Sequence, residues 1–220
     1  VAPSLPPMHL ALFITCLTDQ FYPRVGVAVV RVLESLGHTV AFPAAQTCCG
    51  QPMFNNGLAP HAAALARRMI DVFEPFSHVV TPSASCAAMI REHYPHLFPG
   101  DPAAAARAKA LADKTLEFAE FLSKVARFDP RSLGLRLPAS VTIHTPCHQR
   151  ALGPSATPAI LAGLQGLDVK PLPNAEQCCG FGGAFAVKYP GISESMVADK
   201  ARDFASTGAQ TLVCNDAGSP

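Results

Sequence analysis

The chain has little charge and no excess of either sign. Of its 220 residues 15% are Asp, Glu, Lys or Arg, and the formal charge is +1 with no basic run. Binding to nucleic acid by phosphate neutralisation needs such a run or patch, so that class is set aside. Also missing is any apolar run near the ~20 residues that span a bilayer. The most apolar stretches are broken by Arg24, Arg31, His61, Arg67 and Arg68. The first seven residues have neither the charged nor the apolar region of a secretory signal, and residues 1–8 read as a flexible leader. No Cys-x2-Cys chelate, P-loop, flavin fingerprint or Ser-His-Asp set occurs.

What is present is a packed composition, 49% hydrophobic, with eight cysteines. An even number would suit four disulfides, but the chain is larger and more apolar than the small secreted domains that need such staples. With no export signal, a cytoplasmic metal-binding or redox role is the better reading.

Along the chain, apolar runs and turn residues alternate. Residues 9–15 read as a buried strand ending at Cys16, and Pro23 opens a helix that Gly37 closes. A strand at 39–42 leads to Cys48-Cys49-Gly50. A helix over 58–74, a strand at 78–81 and a helix from Ser85 follow. Strand alternating with helix predicts an α/β fold with parallel sheets. Asp101-Pro102 starts a helical insert running to about residue 126, and residues 127–138 are rich in turn formers.

The second half replays the first. A strand at 140–144 leads to Cys147, and a helix lies near 155–165. A strand at 169–172 precedes Cys178-Cys179-Gly180, and a helix over 191–207 precedes a strand at 210–213. The expected architecture is therefore two pseudo-equivalent βαβ-type modules with a helical insert between them. The modules span 9–100 and 139–220, with insert and linker at 101–138.

Cysteine spacing carries the chemistry. Cys16 precedes Cys48-Cys49-Gly50 by 31 residues, and Cys86 follows after 35; Cys147 precedes Cys178-Cys179-Gly180 by 30. In an open parallel sheet the C-terminal strand ends lie side by side, where ligands usually bind. Cys16, Cys48, Cys49 and Cys86 are thus expected to converge. Soft thiolates select zinc, copper(I) or iron–sulfur clusters. Adjacent cysteines diverge, which is awkward for one tetrahedral ion but suits neighbouring irons of a cluster. Inert buried thiols, a vicinal disulfide or thiol-exchange pair, and zinc remain the other readings. Gly50 and Gly180 suit tight turns with room for a bulky sulfide, while Gly182 and Gly183 suit close backbone approach to a cluster.

The doubled pattern resembles the duplicated cysteine-rich CCG-domain family. Its members include heterodisulfide reductase, glycolate oxidase and lactate-utilisation iron–sulfur subunits. Residues 12–17, 48–52, 82–86, 95–98 and 178–183 are closest to the lactate-utilisation branch. The resemblance implies an electron-transfer subunit, without carbon chemistry of its own, in a complex oxidising a small 2-hydroxy acid. L-lactate is the first choice and glycolate the next. It implies iron–sulfur cofactors, [4Fe–4S] and including the non-cubane type, and partners carrying further iron–sulfur or flavin centres. Cys16, Cys48, Cys49 and Cys86 would form the first site, and Cys147, Cys178 and Cys179 most of the second.

Two positions depart from the family. Met89 stands where many members have the second cysteine of Cys-x-x-Cys, and is expected in the core. The family's Asp-x-Gly-Cys after the last strand is Asp216-Ala-Gly-Ser219 here, which puts the second site's fourth ligand in doubt. Cys214 is the substitute ligand on this reading, and His148 is a further candidate. Lys188 is a candidate to hold an anionic group. The alternatives to an iron–sulfur subunit are a zinc-binding structural subunit and a thiol–disulfide protein using Cys48 and Cys49.

Overall fold

The computed structural model describes residues 6–219; most of the expected leader, residues 1–5, lies outside the described residues. In the first half, β1 (His9–Leu12) leads into α1 (Cys16–Phe21) and α2 (Pro23–Ser35), and β2 (Thr39–Ala41) into α3 (Gln51–Asn55) and α4 (Ala59–Phe73). Next comes β3 (Val79–Thr81), then α5 (Ala84–Ala88), which widens into a π-helical turn, Met89–His93. The long α6 (Pro102–Lys114) returns the chain to β4 (Thr115–Glu117), which is followed by the short α7 (Phe118–Glu120). These four strands form one parallel sheet in the order β2-β1-β3-β4.

Alternation along β1 sorts its side chains between two cores. Ala11 and the adjoining Phe13 pack with Met69, Ile70 and Phe73 of α4 and with Tyr94. Leu10 and Leu12 face the other way, against Val29 and Leu33 of α2 and against Phe121. Proline occupies the first turn of α2, α4 and α6, where its missing N–H has no partner to lose.

The second half contains β5 (Arg136–His144), α8 (Gln149–Leu152), α9 (Thr157–Ala162), β6 (Gln165–Lys170), α10 (Ala184–Lys188), α11 (Pro190–Thr207) and β7 (Thr211–Cys214). Its parallel sheet runs β6-β5-β7, the same order as β2-β1-β3. The fold is the expected α/β pair of βαβ-type modules. Their cores are unequal, since most of the fully buried apolar side chains belong to the first half.

Several boundaries differ from the sequence reading; the strand expected at 169–172 is β6, Gln165–Lys170, which ends before Pro171, and the helix expected near 155–165 ends at Ala162. The helix expected through residue 126 stops at Lys114, because Thr115–Glu117 extends β3 as a parallel neighbour, with Val79 opposite Thr115. The buried Glu117 carboxylate then accepts the N–H groups of Ala119 and Glu120 and restarts the helix. The strand expected from residue 140 begins at Arg136, so the end of the turn-rich linker is already sheet.

Candidate metal centre

Seven of the eight expected cysteines lie past the C-terminal end of a strand, and Cys214 is the last residue of one. Cys16 opens α1, whose start is capped by Thr15 Oγ1 accepting the Thr18 N–H at 3.3 Å. Cys48 and Cys49 lie between β2 and α3, and Cys86 lies within α5, capped by Ser83. The four converge as expected. Cys16 Sγ lies 3.7 Å from Cys48 Sγ, and Cys49 Sγ lies 3.3 Å from Cys86 Sγ. The Gly50 N–H donates to Cys48 Sγ at 3.5 Å. Beneath them, the buried Tyr94 hydroxyl donates to the Cys49 carbonyl at 2.8 Å.

The second set repeats this geometry with two differences, at the neighbours of Cys147 and of Cys179. Cys147 follows β5, and Cys178 and Cys179 follow β6, with the Gly180 N–H donating to Cys178 Sγ at 3.4 Å. Cys147 Sγ lies 3.7 Å from His148 Nδ1. The close neighbour of Cys179 Sγ is Ser219 Oγ, at 3.4 Å. Cys214 sits at the end of β7 and is not part of the wall that the other seven cysteines form.

That wall encloses a single cleft of about 500 Å³, lined by Cys16, Cys48, Cys49, Cys86, Cys147, Cys178 and Cys179. Spacing alone predicts two sites, one per module; the structure turns both onto the same space. His148, Gly182, Gly183, Asp216 and Ser219 also line it. Asp216 was not singled out by the sequence. Its Oδ2 accepts the Ser85 N–H at 2.9 Å, so a second-half carboxylate ties down the turn that carries Cys86. The Ala84 N–H and Asn215 carbonyl bond beside it, at 3.0 Å.

The glycines divide differently from expectation. Gly50 and Gly180 have φ of +85° and +86°, as the tight turns require. The space beside them, however, is taken by helices rather than left for a sulfide. A side chain at Gly50 would meet Ala62 of α4, and one at Gly180 would meet Ser193 and Met196 of α11. Close packing of α11 excludes a side chain at Gly180, whereas at Gly50 a methyl would make an ordinary contact with α4 and the left-handed backbone is what favours glycine. Met89 is fully buried, as expected. Lys188 donates to Asn56 Oδ1, a contact between the halves, and lies outside the cleft lining.

Thiol electrostatics follow from these contacts. The Cys16 thiol, hydrogen-bonded to Cys48, and then Cys49 hold the Cys48 thiol down to about 3. Cys16 is raised by the same bond and then by burial; Cys49 is raised by its bonds to Cys48 and Cys86 and then by burial. Burial raises Cys179 and pushes Cys214 up to about 12. Among Cys16, Cys48 and Cys49 this favours a single thiolate, on Cys48. Ionising Cys16 and Cys49 as well needs a cation, whose binding must release protons.

A cysteine-rich domain of the CCG type matches residues 10–91 and again residues 141–218. The chain belongs to the CCG cysteine-rich domain family. The two matched segments contain all eight cysteines. Lactate utilization protein A from Bacillus thuringiensis (strain Al Hakam) is 47% identical over 213 residues, covering 96% of this chain and 88% of that protein. The proteins of the same name from Geobacillus thermodenitrificans (strain NG80-2) and Bacillus cereus (strain B4264) match to the same extent.

The donor set of this CCG pair fits a soft, polynuclear metal group. Seven thiols face a space far larger than the ~30 Å³ share of one water molecule. Among the described residues, no three His, Cys, Asp or Glu side chains are gathered closely enough to grip one ion. One carboxylate, Asp216, and one imidazole, His148, are the harder donors at hand.

Proposed function

We propose that this chain is the iron–sulfur electron-transfer subunit of a complex that oxidises L-lactate, with glycolate the next substrate in order. The observation that carries the reading is the convergence of seven of the eight cysteines on one cleft. Relatives that bear the name Lactate utilization protein A and share 47% of its sequence support the choice of lactate. Residues 9–100 and 139–220 would act as the two modules, each contributing one thiol set.

A bound iron–sulfur cluster supplies single-electron transfer at a potential set by its ligands and surroundings. Cys16, Cys48, Cys49 and Cys86 would hold one such group, and Cys147, Cys178 and Cys179 would supply thiolates to a second. The Gly50 and Gly180 N–H groups, aimed at Cys48 and Cys178, favour the ionised sulfur and would raise its potential. Asp216 opposes them, placing a carboxylate at the same cleft. The walls keep Cys49, Cys86 and Cys179 from bulk water, while Cys16 and Cys147 stay exposed at the mouth. Carbon chemistry and hydride removal belong to partners carrying flavin or further iron–sulfur centres. A cytoplasmic location goes with this role; among the described residues no helix is long and apolar enough to cross a membrane.

Anaerobic purification followed by iron, sulfide and zinc assays and a visible spectrum tests the cofactor. The expected result is a brown protein with iron and sulfide in equal amounts. A colourless protein holding stoichiometric zinc would favour the structural-zinc reading and overturn this one. A deletion strain growing normally on L-lactate as sole carbon source, but not on glycolate, would reverse the substrate order.

A further inference from the structure

The two thiol sets differ at one donor, and the fold shows which residue holds that place. Strand β3 ends at Thr81 and β7 at Cys214, each pairing in parallel with the first strand of its own half, β1 and β5. Cys86 is the fifth residue after Thr81, and Ser219 is the fifth after Cys214. Both segments turn on a side-chain cap. Ser83 Oγ accepts the Cys86 N–H at 3.3 Å, and Asp216 Oδ1 accepts the Gly218 N–H at 3.2 Å. The contacts that result are the same. Cys86 Sγ lies 3.3 Å from Cys49 Sγ, and Ser219 Oγ lies 3.4 Å from Cys179 Sγ. Cys214 is the counterpart of Thr81; it does not line the cleft, and its thiol lies behind Ser219, against the Ser219 hydroxyl.

We propose that Ser219, and not Cys214, holds the fourth donor position of the second set, making it a site of three thiolates and one hydroxyl. The inference rests on the reading of both sets as metal-holding. A hydroxyl keeps its proton where a thiol gives it up, and its oxygen is a hard donor among soft ones. The second site therefore binds soft metal more weakly than the first, and one of its metal positions lacks a thiolate. The modules are alike in backbone and unlike in grip.

Cadmium ion, titrated into the reduced, metal-free full chain, reads this directly, because each Cd–S bond adds to the ultraviolet thiolate-to-metal absorption. The expected count is seven bound thiolates in two affinity classes, one for each cysteine lining the cleft. Ser219→Cys should raise the count by one and tighten the weaker class at least about ten-fold, the smaller end of what even outer-shell changes do to metal sites. Cys86→Ser should weaken the tight class and merge it with the other. Cys214→Ala should change neither count nor affinity.

The inference fails if the wild type binds through all eight thiols and Cys214→Ala removes one. It fails equally if Ser219→Cys folds, as judged by circular dichroism, yet leaves count and affinity unchanged. The outcome is separable from that of the iron and sulfide assays. Cadmium counts thiolates whatever the native metal is, so an iron-free protein would sink the functional reading and leave this count standing.

Discussion

Replacing each Cys-Cys-Gly glycine by alanine separates two costs that the sequence makes look identical. Gly50 and Gly180 share a left-handed backbone, with φ of +85° and +86°, so either change meets a conformational penalty of ~1–2 kcal/mol. They differ in what the new methyl would touch. At Gly50 the nearest atom is the Ala62 carbonyl oxygen at 3.4 Å, close but tolerable. At Gly180 the methyl would lie 2.6 Å from Met196 Cβ and 2.9 Å from the Ser193 carbonyl oxygen. Neither can rotate away, so α11 has to shift, and overpacking of this kind adds about 1–3 kcal/mol. Gly50→Ala should therefore cost about 1–2 kcal/mol in total and Gly180→Ala about 2–5 kcal/mol. Urea unfolding of the reduced, metal-free protein measures the difference without interference from metal affinity. With a slope of ~3 kcal/mol/M, the midpoint should fall by roughly 0.3–0.7 M for the first variant and by roughly 0.7–1.7 M for the second. A Gly50→Ala midpoint as low as that of Gly180→Ala, with unchanged slopes, would refute the account.

Burial raises the Glu117 carboxyl from 4.5 to about 7. The folded chain therefore holds a proton that the unfolded chain releases, so this group's stabilising contribution is complete below about 4.5 and declines as pH rises to about 7. Glu117→Gln should flatten the stability–pH profile across that window by up to about 3 kcal/mol, read from urea midpoints at each pH. Tyr94→Phe leaves the buried Cys49 carbonyl without its donor and should cost about 1–3 kcal/mol, with little change in near-ultraviolet packing signals other than that of the lost tyrosine. Asp216→Ala removes the acceptor for the Ser85 and Gly218 N–H groups. A loss of about 1 kcal/mol, typical of a lost cap, should appear in the urea midpoint, together with faster proteolysis between residues 127 and 135.

Much of this was legible in the sequence. Apolar runs with turn residues between them locate β1, β2 and β3, and proline marks the starts of α2 and α6. The repeated Cys-Cys-Gly spacing gives away both the duplication and the convergence of Cys16, Cys48, Cys49 and Cys86. What escaped depends on long-range geometry. Strand β4 is three residues long and sits in a helix-forming stretch, so only the open edge of β3 makes it a strand. The direction that a glycine's missing side chain would take is set by its turn, which is why Gly50 and Gly180 were assigned to a sulfide and not to α4 and α11. Cys214 attracted attention because it is a cysteine. The motif Asp216-Ala-Gly-Ser219 already sets Ser219 in the family's ligand place, and what the sequence could not supply is the contact of its hydroxyl with Cys179 Sγ, which depends on the fold.

The shared cleft has a consequence for the life of the protein in a cell. Each group would be held by the thiols of one half and would face the other half across the shared cleft, so its binding energy adds to the stability of the closed, folded chain. Take the metal away and the seam relies on contacts such as Asp216 to Ser85 and Lys188 to Asn56. The metal-free chain would then open more often, and proteases degrade chains in proportion to how often they open. With iron as the occupant, scarcity of the metal would shorten the lifetime of the protein as well as empty its sites, and its cellular abundance would follow iron supply without any regulator of its gene.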